Sequence, residues 1–245
     1  MPYGGKLVDQ IVDRPVDFAA SDNGRMSIVV DLVAESDLIN LAVGAFSPLE
    51  GFMKEADFKS VCEMNYLAKS KLPWTIPILL ALDQNDCDKI NGATKVYLKS
   101  ETSGLILGWI ESFEIFSHDK ELHLQATFGT NEGAHPGVAH VKKMKPSLIG
   151  GKVFIFKDVL SKDPLAYPKG VREHFGKLGI TQIAGFQTRN VVHRAHEHLQ
   201  RLALELVGAL LVHPVIGWKK AGDFRPEVVQ TAYRYFIDAF FPKNK

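Results

Sequence analysis

The strongest constraint on the fold is a change of rhythm that follows Lys162-Asp163-Pro164. Beyond it the apolar residues run in the order helix, strand, helix, strand, helix. Pro168 opens a helix with Val171, Phe175 and Leu178 on one face, and Gly179 closes it. The apolar strand Ile180 to Phe186 leads into a helix with Val192, Ala195, Leu199, Leu202, Ala203 and Leu206 at helical spacing. Gly208 precedes a second strand, Ala209 to Ile216. Pro226 opens a last helix whose expected buried side holds Val228, Val229, Ala232, Tyr233, Phe236, Ile237 and Phe240. Strands that alternate with helices begin a doubly wound α/β sheet. Two parallel strands with their helices cannot cover both faces of such a sheet. A third strand is therefore expected to follow, and the chain reads as an N-terminal fragment.

The part before about Asp158 reads as mixed but β-rich. Glu121 to Phe128 alternates cleanly, with Leu122, Leu124, Ala126 and Phe128 on one face, and predicts a strand. Ile76 to Leu82, Thr94 to Lys99, Leu105 to Ile110 and Val153 to Phe156 are further strand candidates, punctuated by turns at Asn91-Gly92 and Ser103-Gly104. Helices are expected over Ser36 to Ala42 and near Glu55 to Tyr66. Short strands at this spacing suggest a small barrel or sandwich. The domain division falls at 1–160 and 161–245.

Bulk properties exclude several classes. Of 245 residues, 46% are hydrophobic and 23% charged, which suits a globular protein with a proper core. The net charge of +1 gives no footing for a general nucleic-acid or membrane binder. The small cluster Lys142, Lys143 and Lys145 reads as a solvated loop, as do His135 and His140 beside Gly133 and Gly137. Cys62 and Cys87 stand far apart without metal-ligand spacing, which fits a reducing compartment. No signal segment opens the chain, and no apolar run approaches the ~20 residues of a membrane helix. The cytoplasm is the expected location. Trp74, Trp109 and Trp218 read as packing residues.

The chemistry gathers where the strand Ile180 to Phe186 meets the next helix. There the chain reads Gln187-Thr188-Arg189-Asn190-Val191-Val192-His193-Arg194-Ala195-His196. A helix N-terminus after a strand presents N–H groups to an anion. Arg189 offers a planar fork that grips sulfate or phosphate through two parallel hydrogen bonds. Gln187 adds an uncharged donor, and Thr188 a short hydroxyl for a phosphate oxygen. Asn190 suits an N-cap or a donor to phosphate. His193 and His196, three apart, are expected on one side of the first helical turns, with N–H donors aimed together. The same pair could ligate a metal, but no acidic partner of the HExxH kind accompanies it. Lys219, Lys220 and Asp223 follow the second strand, where such sheets hold ligands, and they line the site or form a solvated loop.

This segment resembles the QTRNP-x-HR-x-H signature of the ATP sulfurylases. Tyr3-Gly4-Gly5-Lys6-Leu7-Val8 is similar to that family's GG-x-LV, and Gly44 to Met53 to its G-x-FSPL-x-GFM. Leu211 to Gly217 resembles its LLHPV-x-G, and Phe241-Pro242-Lys243 its FPK. The landmarks come in family order along the whole chain. Val191 departs from the family's Pro, and intact chemistry with slightly less rigidity is expected. The family's GRDHAG loop has no counterpart here.

The resemblance implies a PUA-like β-barrel followed by the start of a Rossmann-like, doubly wound nucleotidylyltransferase domain. It implies the reaction of ATP, as Mg-ATP, with sulfate to give adenylyl sulfate (APS) and pyrophosphate, or the reverse, with no protein-bound metal. Catalytic roles are implied for Thr188, Arg189, Asn190, His193 and His196, and substrate contacts for Gln187 to Asn190. It admits a homo-oligomer. Two rival readings stand beside it. One is a nucleotidylyltransferase for another acceptor, which needs neither Gln187 nor Arg189. The other is a non-catalytic PUA-like and nucleotide-binding remnant.

Overall fold

The structure, a computed structural model, describes residues 1–18, 25–216 and 222–242. The chain divides into two compact units, Met1–Lys169 and Gly170–Lys245.

The first unit contains, in chain order, β1 (Ile11–Val12), β2 (Ser27–Val30), α1 (Leu32–Ala42), β3 (Gly51–Phe52), α2 (Glu55–Met64), β4 (Leu80–Leu82) and α3 (Gln84–Lys89). These are followed by β5 (Lys95–Ser100), β6 (Ile106–Ser117), α4 (Lys120–Phe128), α5 (Pro136–Lys143) and β7 (Ser147–Phe156). One mixed sheet organises them in the order β1-β7-β6-β5-β2, with β3 and β4 also paired to β7. Strand β7 is the spine. One edge pairs antiparallel with β6, and the other takes β4, β3 and β1 in succession along its length. No strand pairing among the described residues closes this sheet into a ring.

The core lies between this sheet and α1 and α2. Leu38, Leu41, Phe58, Val61, Leu98 and Ile110 are all buried there. The Gly44 to Met53 run is a buried connector into this core. Ser47 Oγ accepts from the Val8 N–H, while Phe52 and Met53 are 2% exposed. Glycine is required where β3 crosses β7, because a Cβ on Gly51 would lie 1.8 Å from the Gly151 carbonyl oxygen.

Several expectations for this unit are corrected. Glu121 to Phe128 is the helix α4, not a strand. Asp119 caps it by accepting from the Leu122 N–H at 2.9 Å, and Gly129 ends it in the left-handed region. Alternation over so short a window does not separate the two periods, and capping decides. The expected loop around His135 and His140 is α5, with His135 as its N-cap. Val138 and Val141 bury against Leu124. Lys145 is ion-paired to Asp86 at 2.8 Å and to Asp83 at 3.1 Å. Of Ile76 to Leu82, only Leu80–Leu82 pairs as a strand. The strands placed at Leu105 and Val153 are longer than read, as β6 and β7. Trp109 stacks on Phe154 with ring centroids 4.9 Å apart, and Trp74 meets Phe46 edge-on. Trp218 lies outside the described residues.

The helix α6 (Pro168–Lys177) begins at the division between the units. The second unit continues with β8 (Ile183–Thr188), α7 (Arg194–Leu206), β9 (Ala209–Pro214) and α8 (Pro226–Phe240). Strands β8 and β9 pair in parallel, as one β–α–β unit. The expected faces of the two helices shift. Leu199, Leu202 and Leu206 are 52%, 46% and 75% exposed, and the residue that α7 buries is Gln200. On α8, Val229, Tyr233 and Phe236 are buried, whereas Val228, Ile237 and Phe240 are exposed.

Candidate functional site

The register of β8 and β9 runs from Ile183 beside Ala209 to Thr188 beside Pro214. Both strands end at one edge, so the segments after them start side by side. That carboxyl edge is where sheets of this kind hold ligands. The residues Gln187 to His196 lie on it.

Strand alternation separates the first two of them. Gln187 is exposed and sits in register with His213 of β9, also exposed. Thr188 turns inward and is 8% exposed. Its Oγ1 accepts from the Asn190 N–H at 3.2 Å, and its carbonyl accepts from the Val215 N–H at 2.8 Å. Between them, Arg189 is half-buried, with Nη2 2.5 Å from Asp223 Oδ2. A guanidinium carries its donors on several edges, so a carboxylate that holds Nη2 also orients the rest of the fork.

The helix α7 starts later than the sequence suggests. Its N-cap is His193, in extended backbone, with Nδ1 accepting from the Ala195 N–H at 3.3 Å. Asn190 is therefore not the N-cap, and Val191 does not occupy the first helical position. The Thr188 bond to Asn190 forms a tight turn ahead of the helix, which leaves Val191 and Val192 as a connector. The absence of Pro at residue 191 thus costs nothing at the helix start.

The two imidazoles come together. The rings of His193 and His196 stack with centroids 3.8 Å apart and planes 28° apart, and Phe186 meets His196 edge-on. Because His193 Nδ1 accepts a bond, its ring proton lies on Nε2. Burial pushes the His196 pKa down, and the neighbouring His193 pushes it further, against a Val191 backbone hydrogen bond. His196 thus remains a neutral N–H donor to lower pH than an ordinary histidine.

Behind the turn sit Gln200 of α7 and Tyr233 of α8, at 1% and 3% exposure. Burial raises the Tyr233 pKa, and hydrogen bonding by the Thr188 and Gln200 side chains opposes it. Sequence reasoning passed over His213, Gln200 and Tyr233. The shared strand end would have pointed to His213. Gln200, four residues after His196, is a polar residue in line with that ring on α7 and could have been noticed on that ground. Asp223, for which the sequence left open a place in the site or in a solvated loop, meets Arg189. Lys219 and Lys220 lie outside the described residues. Among the described residues, no group of three or more His, Cys, Asp or Glu side chains is placed to hold a metal ion. No described helix is long and apolar enough to cross a membrane.

Comparisons with known proteins bear on both units. Residues 1–158 match the model of a PUA-like domain, and residues 163–245 match the model of ATP-sulfurylase. The chain is 38% identical to a sulfate adenylyltransferase of Ignicoccus hospitalis over 99% of its own length and 64% of that protein. It is 37% identical to one from Hyperthermus butylicus, over 98% of this chain and 62% of the relative. A sulfate adenylyltransferase of Acaryochloris marina is 33% identical over 100% of this chain and 64% of its own. The chain thus spans just under two thirds of the length of these relatives. In fold it is similar to a hexameric APS kinase from Thiobacillus denitrificans, with a TM-score of 0.66 and 21% identity over 98% of this chain and 44% of that one. The chain thus belongs to the PUA-like domain family over residues 1–158, and over its whole length, with the landmark turn at the carboxyl edge of β8, it is similar to the ATP sulfurylases.

Proposed function

We propose that this protein is a sulfate adenylyltransferase, which joins sulfate to the α-phosphorus of Mg-ATP and releases pyrophosphate, or runs the reverse reaction. The observation that carries the reading is that Arg189, held by Asp223, and the stacked His193 and His196 follow one another in the segment at the carboxyl end of β8. The names borne by its relatives support it. Both reactants are anions, so catalysis rests on orientation and charge stabilisation rather than on proton transfer.

In this reading Arg189 and Gln187 hold sulfate from the exposed side of the turn, with Asn190 as a further donor to phosphate. His213, beside Gln187, lines the same edge. A sulfate oxygen attacks the α-phosphorus, a new P–O bond forms, and the bond to the β,γ-phosphates breaks as pyrophosphate leaves. His193 and His196 donate N–H bonds to the oxygens of the five-coordinate phosphorus. Thr188 turns inward and acts on the turn more than on the ligand. Magnesium arrives with the nucleotide as part of the substrate. A cytoplasmic setting belongs to the same reading, since Cys62 and Cys87 are both unbridged. So does a homo-oligomer, since α7 and α8 expose apolar side chains.

Exchange of labelled pyrophosphate into ATP, with and without sulfate, tests the proposal. Exchange that requires sulfate is expected. Exchange that ignores sulfate would assign another acceptor, and failure to bind ATP, sulfate or pyrophosphate would make the site a remnant.

A further inference from the structure

Buried polar groups are nearly always hydrogen-bonded, and an exception calls for a reason. Two exceptions lie together in the α/β unit. The Tyr233 hydroxyl and Gln200 Nε2 lack a well-formed partner, although their residues are 3% and 1% exposed. They come from different helices, and the Tyr233 hydroxyl stands between the Thr188 and Gln200 side chains. Thr188 and Gln200 are thus the polar neighbours of the Tyr233 hydroxyl, although neither completes a well-formed hydrogen bond to it. Each buried polar atom left short of a partner destabilises the fold. Leu and Phe would fill the same space without that cost, so packing does not account for the polar pair.

Thr188 supplies the reason. Its Oγ1 already accepts from the Asn190 N–H. A hydroxyl has one proton to give, and turning it inward, towards Tyr233, fixes its rotor. The lone pair then faces Asn190, and Arg189 is pinned between two held residues. Gln200 also lies one helical turn beyond His196 on the same helix.

We propose that Tyr233 and Gln200 are positioning residues: Tyr233 acts on the Thr188 side chain, and Gln200 through Tyr233, to hold turn 187–190 where Arg189 and Asn190 meet the anion. The anion's identity rests on the proposed function; the ordering of the turn does not.

The test uses the full chain, labelled with nitrogen-15, as wild type, Tyr233→Phe, Gln200→Leu, Thr188→Val and the double variant Tyr233→Phe/Thr188→Val. The readouts are the backbone order and amide exchange of residues 187–190, the affinity for inorganic sulfate and for pyrophosphate, and the melting temperature. Tyr233→Phe and Gln200→Leu should each loosen the turn and weaken anion binding about three- to tenfold, the worth of one net hydrogen bond. The melting temperature should hold or rise. In the Thr188→Val background, Tyr233→Phe should change nothing further, because the coupling runs through that hydroxyl.

An unchanged turn with unchanged anion affinity would overturn the proposal. So would a general loss of stability across the α/β unit without a specific effect on residues 187–190, or additive effects in the double variant. A wild type that lacks sulfate-dependent exchange while its turn still loosens in Tyr233→Phe would sink the proposed function and leave the positioning role standing.

Discussion

Arg189 sits at the centre of the site, and its surroundings give it a measurable signature. Asp223 holds one end of the guanidinium at 2.5 Å. A lysine keeps the charge but cannot answer a carboxylate and an oxyanion with one planar fork. Arg189→Lys is therefore expected to lose about 2–3 kcal/mol of sulfate binding, close to the loss in Arg189→Ala. Calorimetric titration checks this, and near-normal affinity in the lysine variant would reduce Arg189 to a point charge. The histidines make a different prediction. Burial and His193 hold the His196 pKa below its ordinary value. A bound dianion favours the protonated ring and so raises that pKa. By linkage, sulfate binding should take up protons and tighten as pH falls through the histidine range. Sulfate remains a dianion throughout, which isolates the protein's contribution. Affinity that is flat with pH in the wild type, or equally steep in His196→Gln, would contradict the assignment.

Strand β3 shows what a close crossing demands. The 1.8 Å approach of a Cβ on Gly51 to the Gly151 carbonyl allows no side chain there. Gly51→Ala must push β3 off β7, and a loss of about 3 kcal/mol or more is expected in urea unfolding. A shift within error would mean that the crossing yields. The α4 region predicts a pH dependence. His118 Nε2 and His123 Nδ1 lie 3.0 Å apart in the core, against Phe58. Burial lowers both pKa values, and for His123, with His118 beside it, to about 4. The unfolded chain, with ordinary histidines near 6.5, binds more protons between these limits. Stability is then complete above about pH 6.5 and falls as pH drops towards 4. For His123 this amounts to about 1–2 kcal/mol by pH 5. His123→Gln should flatten that slope. The alternating Leu122, Leu124, Ala126 and Phe128 of this region illustrate why the helix was missed. Eight residues are too few to reject a period of two, whereas the Asp119 cap and the left-handed Gly129 act through backbone geometry.

The two units differ in how much apolar surface they hide. Among the described residues, the second unit buries only Ala209, Val229, Tyr233 and Phe236 of its apolar side chains, while the first has an extensive core. Each large apolar side chain left in water forgoes about 1.5–3 kcal/mol. The 245-residue chain in isolation should accordingly show strong hydrogen-exchange protection before about Asp158 and weaker protection beyond Ile183. It should also self-associate through the exposed Leu199, Leu202 and Leu206 face. Uniform protection in a monomer would refute this.

The order of elements beyond Lys162, the identity of the turn Gln187 to Asn190 and its place between strand and helix were legible in the residues. Apolar periodicity and turn chemistry act locally and leave local traces. The start of α7 at Arg194, the inward turn of Thr188, the stacking of His193 on His196 and the meeting of Arg189 with Asp223 were not. Each depends on which face of an element finds cover, or on residues brought together from separate segments. The leucines of α7 read as an apolar stripe at helical spacing, but periodicity names a face without saying what lies against it. Tertiary packing chose Gln200 instead, and with it the groups that stand behind the site.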